Sequence, residues 1–225
     1  MDKIGFRILP RNTQPVGADV LEAFRRIGVA QVSDCMGRLY GSKGLRPIHG
    51  AQRLAGVALT VKTRDGDNLL IHRAIELARP GDVIVVDGSG GTTNALVGEL
   101  MMRQSQKRGV LGFVIDGAVR DGDAFGAAGF PCFARGLSHR GPYKDGPGEI
   151  NVPVSIGGLV VQPGDLILGD GDGLLAIPPA HAADVLKMAQ AKEEAETLGM
   201  ARIEAGTYEK PWLAPALARL EKDYK

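Results

Sequence analysis

DVIVVD (Asp82 to Asp87), then GSGG (Gly88 to Gly91), then LGFVI (Leu111 to Ile115) running into Asp116-Gly117, is the stretch that decides the fold. The first run is short, apolar and bounded by turn residues, the pattern of a strand buried on both faces. The glycines turn the chain. Asn94 is then placed to cap a helix running to about Arg108, with Ala95, Leu96, Leu100 and Met101 among its apolar positions. Strand, glycine loop, helix and strand make a βαβ unit, because two parallel strands need such a crossover. The fold class is therefore α/β, with this unit at its centre and residues 1–225 forming a single domain.

Upstream, Val20, Leu21, Phe24 and Ile27 fall at helical spacing, which predicts a helix over Ala18–Ile27 with Gly28 as its cap. A second helix is predicted over Asn68–Ala78, with Asp67 as candidate N-cap and Leu70, Ile71, Ala74 and Ile75 on one face; Pro80-Gly81 ends it. Ala51–Thr63, rich in Val, Leu and Thr, reads as strand. Downstream come a short helix near Asp123–Ala128 and a strand near Pro131–Ala134. The loop Ser138–Glu149, dense in Gly, Pro and charge, is long enough for a lid or a contact between subunits. Val152–Val161 and Asp165–Ile177 supply further strands, and an Ala/Glu/Lys-rich helix runs from Pro179 to about Gly206 with a break at Gly199, leaving a tail. PGDVIVVDG at Pro80 and PGDLILGDG at Pro163 read as one Pro-Gly turn used twice, not as a duplicated domain.

Composition narrows the function. At 225 residues, 44% hydrophobic, the chain can bury one substantial core, and with only 5% aromatic residues that core is built from Val, Ile, Leu and Ala. A formal charge of +1 without a run of Lys or Arg argues against a nucleic-acid partner. No segment approaches the roughly 20 apolar residues of a membrane span. Met1 to Val16 carries charges and prolines where a secretory leader would be apolar, so no membrane partner and a cytoplasmic location are expected. Cys35 and Cys132 are isolated, with neither disulfide nor zinc-ligand spacing.

Three motifs invite a site. Gly88-x-Gly90 lacks the third glycine of a dinucleotide fingerprint, having Thr93, and no Gly-Lys-Ser/Thr follows; what remains is a turn, and a helix start able to capture an anion. Asp170-Gly171-Asp172-Gly173 begins like a calcium loop but has Leu174 and His181 where ligands are needed, so it reads as a tight turn. Arg120-Asp121 lies just beyond the LGFVI strand, and Glu99 in the first turn of the preceding helix. Adjacent Arg and Asp are common as a surface pair. Both the strand end and the loop after it, however, open onto the crevice where α/β proteins bind ligands, and there the three side chains can converge.

Gly98-Glu99 followed by Arg120-Asp121, with Gly109 and Val114-Ile115-Asp116-Gly117 between, resembles the 4-hydroxy-4-methyl-2-oxoglutarate / 4-carboxy-4-hydroxy-2-oxoadipate aldolases, a family that also holds the regulator of ribonuclease activity A. The likeness continues through Val32-Ser33-Asp34, Gly66-Asp67-Asn68, Pro80-Gly81-Asp82-Val83, Asn151-Val152-Pro153-Val154 and Pro163-Gly164-Asp165. It implies a swivelling β/β/α fold assembled as a homotrimer or hexamer, with the segments at about 179–206 and 207–225 packing at a subunit interface. The implied activity is class II aldol cleavage of a 4-hydroxy-2-oxo acid to pyruvate, together with oxaloacetate decarboxylation. Asp121 would ligate Mg²⁺ or Mn²⁺, and Arg120 would hold the 2-oxo acid's carboxylate and enolate oxygen. Gly98, Leu100 and Met101, at the helix start, would bind the substrate, Leu100 and Met101 through their backbone N–H groups. Glu99 would act as base or proton relay, and Glu196 would reach in from a neighbouring subunit, although Lys192 offers it a helix-surface pair. The characterised aldolases carry Asp where this chain has Glu99, and the ribonuclease regulators lack the carboxylate that stands here as Asp121. The second expectation, a non-catalytic regulator of a ribonuclease, is weakened by Asp121.

Overall fold

In the computed structural model, which describes residues 2–11 and 16–224, the two apolar runs lie side by side as parallel strands, with Val83 to Asp87 opposite Gly112 to Asp116. The elements in chain order are β1 (Asp2–Lys3), β2 (Phe6–Ile8), α1 (Ala18–Arg26), α2 (Val29–Cys35), β3 (Arg46–Pro47), β4 (Leu54–Thr63), α3 (Leu69–Leu77) and β5 (Asp82–Asp87). Then follow β6 (Ala95–Val97), α4 (Glu99–Lys107), β7 (Gly112–Val119), α5 (Gly122–Ala128), β8 (Cys132–Leu137) and β9 (Gly148–Ile150). Two hairpins, β10 (Val154–Ile156) with β11 (Leu159–Val161) and β12 (Leu166–Asp170) with β13 (Gly173–Ile177), precede helices α6 (Ala182–Glu204) and α7 (Leu213–Asp223). Of the Met1 to Val16 segment, residues 1 and 12–15 lie outside the described residues.

Strand β4 organises the sheet. It runs parallel to β5 along one edge, while its other edge is antiparallel to β12 at Leu54 to Val57 and to β9 at Val61 to Thr63. Beyond β5 the order continues through parallel β7 and β8 to antiparallel β3. Successive residues of β5 point to opposite sides, which is why its sequence is apolar without alternation. Ile84 and Val86 enter a core with Leu70, Ile71, Met102 and Phe125 of helices α3, α4 and α5. Val83 and Val85 enter another with Val154, Ile156 and Val161 of the β10–β11 hairpin. Hairpin layer, sheet and helices give the β/β/α arrangement that the resemblance implies. Contacts divide the chain into two units, one up to Ala189 and one from Gln190 onward, the second comprising the end of α6 and all of α7.

Several expectations need correction. The helix predicted from Asn94 begins only at Glu99; Ala95 to Val97 is strand β6, paired with Ala118 and Val119. The reason is an edge left open: β5 ends at Asp87, opposite Asp116, so the last residues of β7 need another partner on that side. Asn94 caps nothing, its amide donating instead to the Gly141 carbonyl at 2.6 Å. Gly199 does not break α6, since one glycine costs only about 1 kcal/mol in a long run of good helix formers. The expected tail contains α7, and α2 was not anticipated. The calcium-like motif is the β12–β13 turn, where the Asp170 carboxylate accepts N–H groups from Asp172 and from Val29 at the start of α2.

The loop after β8 is held down by one buried carboxylate. Asp67 accepts the Leu69 N–H (3.0 Å) at the start of α3, and also the N–H groups of Asp145 (2.7 Å) and Gly146 (2.9 Å). Tyr143 adds backbone bonds with Gly66 and Asn68. Burial alone would raise the Asp67 pKa, but the three N–H donors and the Arg64 guanidinium outweigh it and hold the group below the ordinary carboxylate range. A depressed carboxylate contributes stability that is present above its unfolded pKa, near about 4, and is lost as pH falls through the folded value. Asp67→Asn should therefore cost about 1–3 kcal/mol at pH 7 and progressively less as the pH is lowered into that window, measured by urea titration at each pH. In the core, Phe113 sits edge-to-face with Phe130 (5.2 Å) and Phe125 (6.2 Å). Phe113→Ala should cost about 3–5 kcal/mol by the same titration.

Candidate active site

Arg120 and Asp121 leave the C-terminal end of β7, and the Arg120 N–H still bonds Val97 of β6 at 3.0 Å. Asp121 then turns the chain into α5 with left-handed backbone angles, φ 58° and ψ 41°, which Asp tolerates better than most residues. This rotation brings its Oδ2 to the Glu99 N–H at 2.9 Å, so that Asp121 caps α4 from outside the helix, at the positive end of the helix dipole. The closeness depends on Gly98. A Cβ there would lie 2.6 Å from Asp121 Oδ2 and 2.9 Å from Arg120 Cγ; the constraint is space, because φ is an extended −152°.

Arg120 Nε stands 3.8 Å from Asp121 Oδ2, with side chains 44% and 43% exposed. An ion pair that open adds little to stability, so its placement in a crevice points to chemistry. Arg120 lines two cavities. One, of about 150 Å³, includes Gly98, Leu100 and Met101 at the start of α4, where the first N–H groups of a helix have no partner within it. Asn68, His72 and Lys144 also line it. The other, of about 480 Å³, includes Asp121, Gly122, Leu137, Ser138 and His139. Asp121 fits a hard cation: its half-exposed side chain borders an open cavity, and among the described residues no three His, Cys, Asp or Glu side chains gather to form a full cage. A single carboxylate with the remaining positions left to water and substrate is the habit of Mg²⁺.

Gly98, Glu99, Leu100, Met101, Arg120 and Asp121 are thus brought together as the sequence suggests. Glu99 arrives backbone first. Its N–H faces Asp121, while its carboxylate lies along α4 beside Arg103, 3.2 Å from Nη2. Glu196 lies on α6 in the second unit, 3.4 Å from Lys192. Sequence reasoning missed Asn68, His72 and Lys144. The Asn68 amide donates to the Leu96 carbonyl at 2.9 Å, and its buried Oδ1 has no partner. Burial, then the Lys144 charge, lowers the His72 pKa against the opposing pull of Glu76, which makes His72 a neutral hydrogen-bonding group at pH 7. A polar pair one turn apart at the start of α3, Asn68 and His72, was the available signal.

Known proteins share this framework. The family model described as Aldolase/RraA matches residues 29–176. A protein of Halalkalibacterium halodurans named as a candidate 4-hydroxy-4-methyl-2-oxoglutarate aldolase is 40% identical over 176 residues, 78% of this chain and 84% of its own length. A Burkholderia mallei protein of the same name is 38% identical over 58% of this chain and 78% of its own. Among solved structures, an uncharacterized protein from Pseudomonas syringae superposes with a TM-score of 0.78 at 29% identity, covering 86% of this chain and 96% of that one. The RNA-processing inhibitor RraA from Thermus thermophilis does so with 0.62 at 31% identity, covering 67% and 92%. With the family's model spanning α2 into β13 and a relative this similar across most of both chains, the protein belongs to the Aldolase/RraA family.

Proposed function

We propose that this protein is a divalent-metal-dependent lyase that cleaves 4-hydroxy-4-methyl-2-oxoglutarate or a related 4-hydroxy-2-oxo acid to pyruvate, and that it also decarboxylates oxaloacetate. The observation that carries this reading is the Gly98-enforced convergence of Asp121, Arg120 and the start of α4 at one crevice. A 2-oxo acid entering there would place its carboxylate on the N–H groups of Leu100 and Met101. The Arg120 guanidinium would hold the same carboxylate and the oxygen on which enolate charge develops, binding that charge more tightly than the ground-state ketone. Mg²⁺ or Mn²⁺ at Asp121 would supply Lewis-acid polarisation of the 2-oxo group.

The remaining task is removal of a hydroxyl proton. Asn68 Oδ1, buried and without a donor, would accept a hydrogen bond from that hydroxyl, with neutral His72 beside it in the cavity. Glu99 can serve as base or relay only by leaving Arg103. An exposed helix pair four residues apart is worth about 0.3–0.5 kcal/mol, so this rotation is inexpensive. Glu196 would reach the site of a neighbouring subunit in a homotrimer or hexamer.

The reading is tested by following pyruvate from oxaloacetate and from 4-hydroxy-4-methyl-2-oxoglutarate with Mg²⁺ present and after chelation. Arg120→Ala should lower kcat/KM by about 10²–10³-fold, and Asp121→Ala should abolish the metal-dependent rate, both with unchanged circular dichroism. Gly98→Ala should behave like them, because its methyl displaces both side chains at once. No metal-dependent release from either substrate would sink the proposal. It would favour a ribonuclease regulator instead, the reading supported by likeness to the Thermus inhibitor, for which inhibition of RNA cleavage is the assay.

A further inference from the structure

Lys144 is in no ion pair among the described residues, yet its backbone is among the most firmly held in its loop. Tyr143, before it, donates its N–H to Gly66 (2.8 Å) and accepts from Asn68 (3.0 Å). Asp145 and Gly146, after it, both donate to the buried Asp67 carboxylate. Four hydrogen bonds thus fix the Cα from which a normally wandering side chain departs, and that side chain lines the 150 Å³ cavity shared with Arg120. Asn68, whose buried Oδ1 accepts no hydrogen bond, also lines this cavity and supplies no competing charge. His72 does not compete as a cation, being neutral under the influence of burial and of Lys144 itself. The cavity is therefore bordered by two positive charges, and the α4 start with Arg120 accounts for one carboxylate.

We infer that Lys144, positioned by Asp67, is a specificity-determining residue that receives the second carboxylate of a dicarboxylic 2-oxo acid. The inference rests on the aldolase reading for its biological meaning, but binding alone tests it. Calorimetry of the whole protein with Mg²⁺ compares pyruvate, with one carboxylate, and 2-oxoglutarate, with two. The native protein should bind 2-oxoglutarate at least tenfold more tightly. Lys144→Met should erase most of that preference while leaving the pyruvate Kd within about twofold, and Lys144→Arg, which keeps the charge, should retain it. Lys144 is exposed, so both variants should fold. Equal weakening of both ligands by Lys144→Met, or no preference in the native protein, overturns the inference. If the preference and its loss are seen but no pyruvate is released from a 4-hydroxy-2-oxo acid, the aldolase reading fails and the Lys144 subsite stands.

Discussion

Strand β4 sits inside the protein with every residue but Lys62 buried, and a buried strand must pair its backbone along both edges. One neighbour cannot do this, because β5 covers a single edge; the other is divided between β12 and β9, which come from far along the chain. The two PGD turns meet this requirement. At each, a glycine with φ near +95° precedes an aspartate whose carboxylate accepts the N–H three residues back, from Arg79 in one case and Gln162 in the other. Each turn also bonds β4 directly, Gly81 through its carbonyl to Val57 and Gly164 through its N–H to Ala58. The echo in the sequence is thus the same device used on both flanks of one strand. The copies differ electrostatically: Arg11 neutralises Asp82, whereas among the described residues no cation pairs with Asp165, and burial raises its pKa.

With β4 and β5 fixed, the site follows from where β5 stops. β7 continues past the end of β5, β6 supplies the missing edge, and α4 must then start within reach of the β7 terminus. Asp121 connects the two ends through one hydrogen bond, at the cost of a left-handed backbone. A carboxylate used only as a helix cap would not need an arginine next to it or a cavity beside it.

Much of this was legible in the residues. DVIVVD and LGFVI are unbroken apolar runs because both faces of their sheet are covered, and Arg120-Asp121 falls at a strand end whose environment is set by the βαβ rule. The start of α4 was not legible, since three apolar residues such as Ala95 to Val97 satisfy helix and strand spacing equally, and only an open sheet edge decides between them. Lys144 and His72 were hidden for another reason. Lys144 joins Arg120 and His72 through a loop tied down by Asp67, a contact between residues nearly eighty positions apart that no local pattern announces. The direction of the Glu99 carboxylate is a rotamer choice between Arg103 and the crevice, and sequence does not encode it at all.

Arg120 forms a wall of both cavities, and so no change in one is private to it. A substitution at His139 or Leu137 that shifts the Arg120 side chain would also change how it meets a ligand on the Lys144 side, and the reverse would hold. Substitutions in the two chambers would then be coupled through a single arginine, even where their own side chains never touch. Variation among relatives at these positions should therefore be interpreted in pairs across Arg120, since a residue acceptable in one background becomes unacceptable when the opposite chamber has changed.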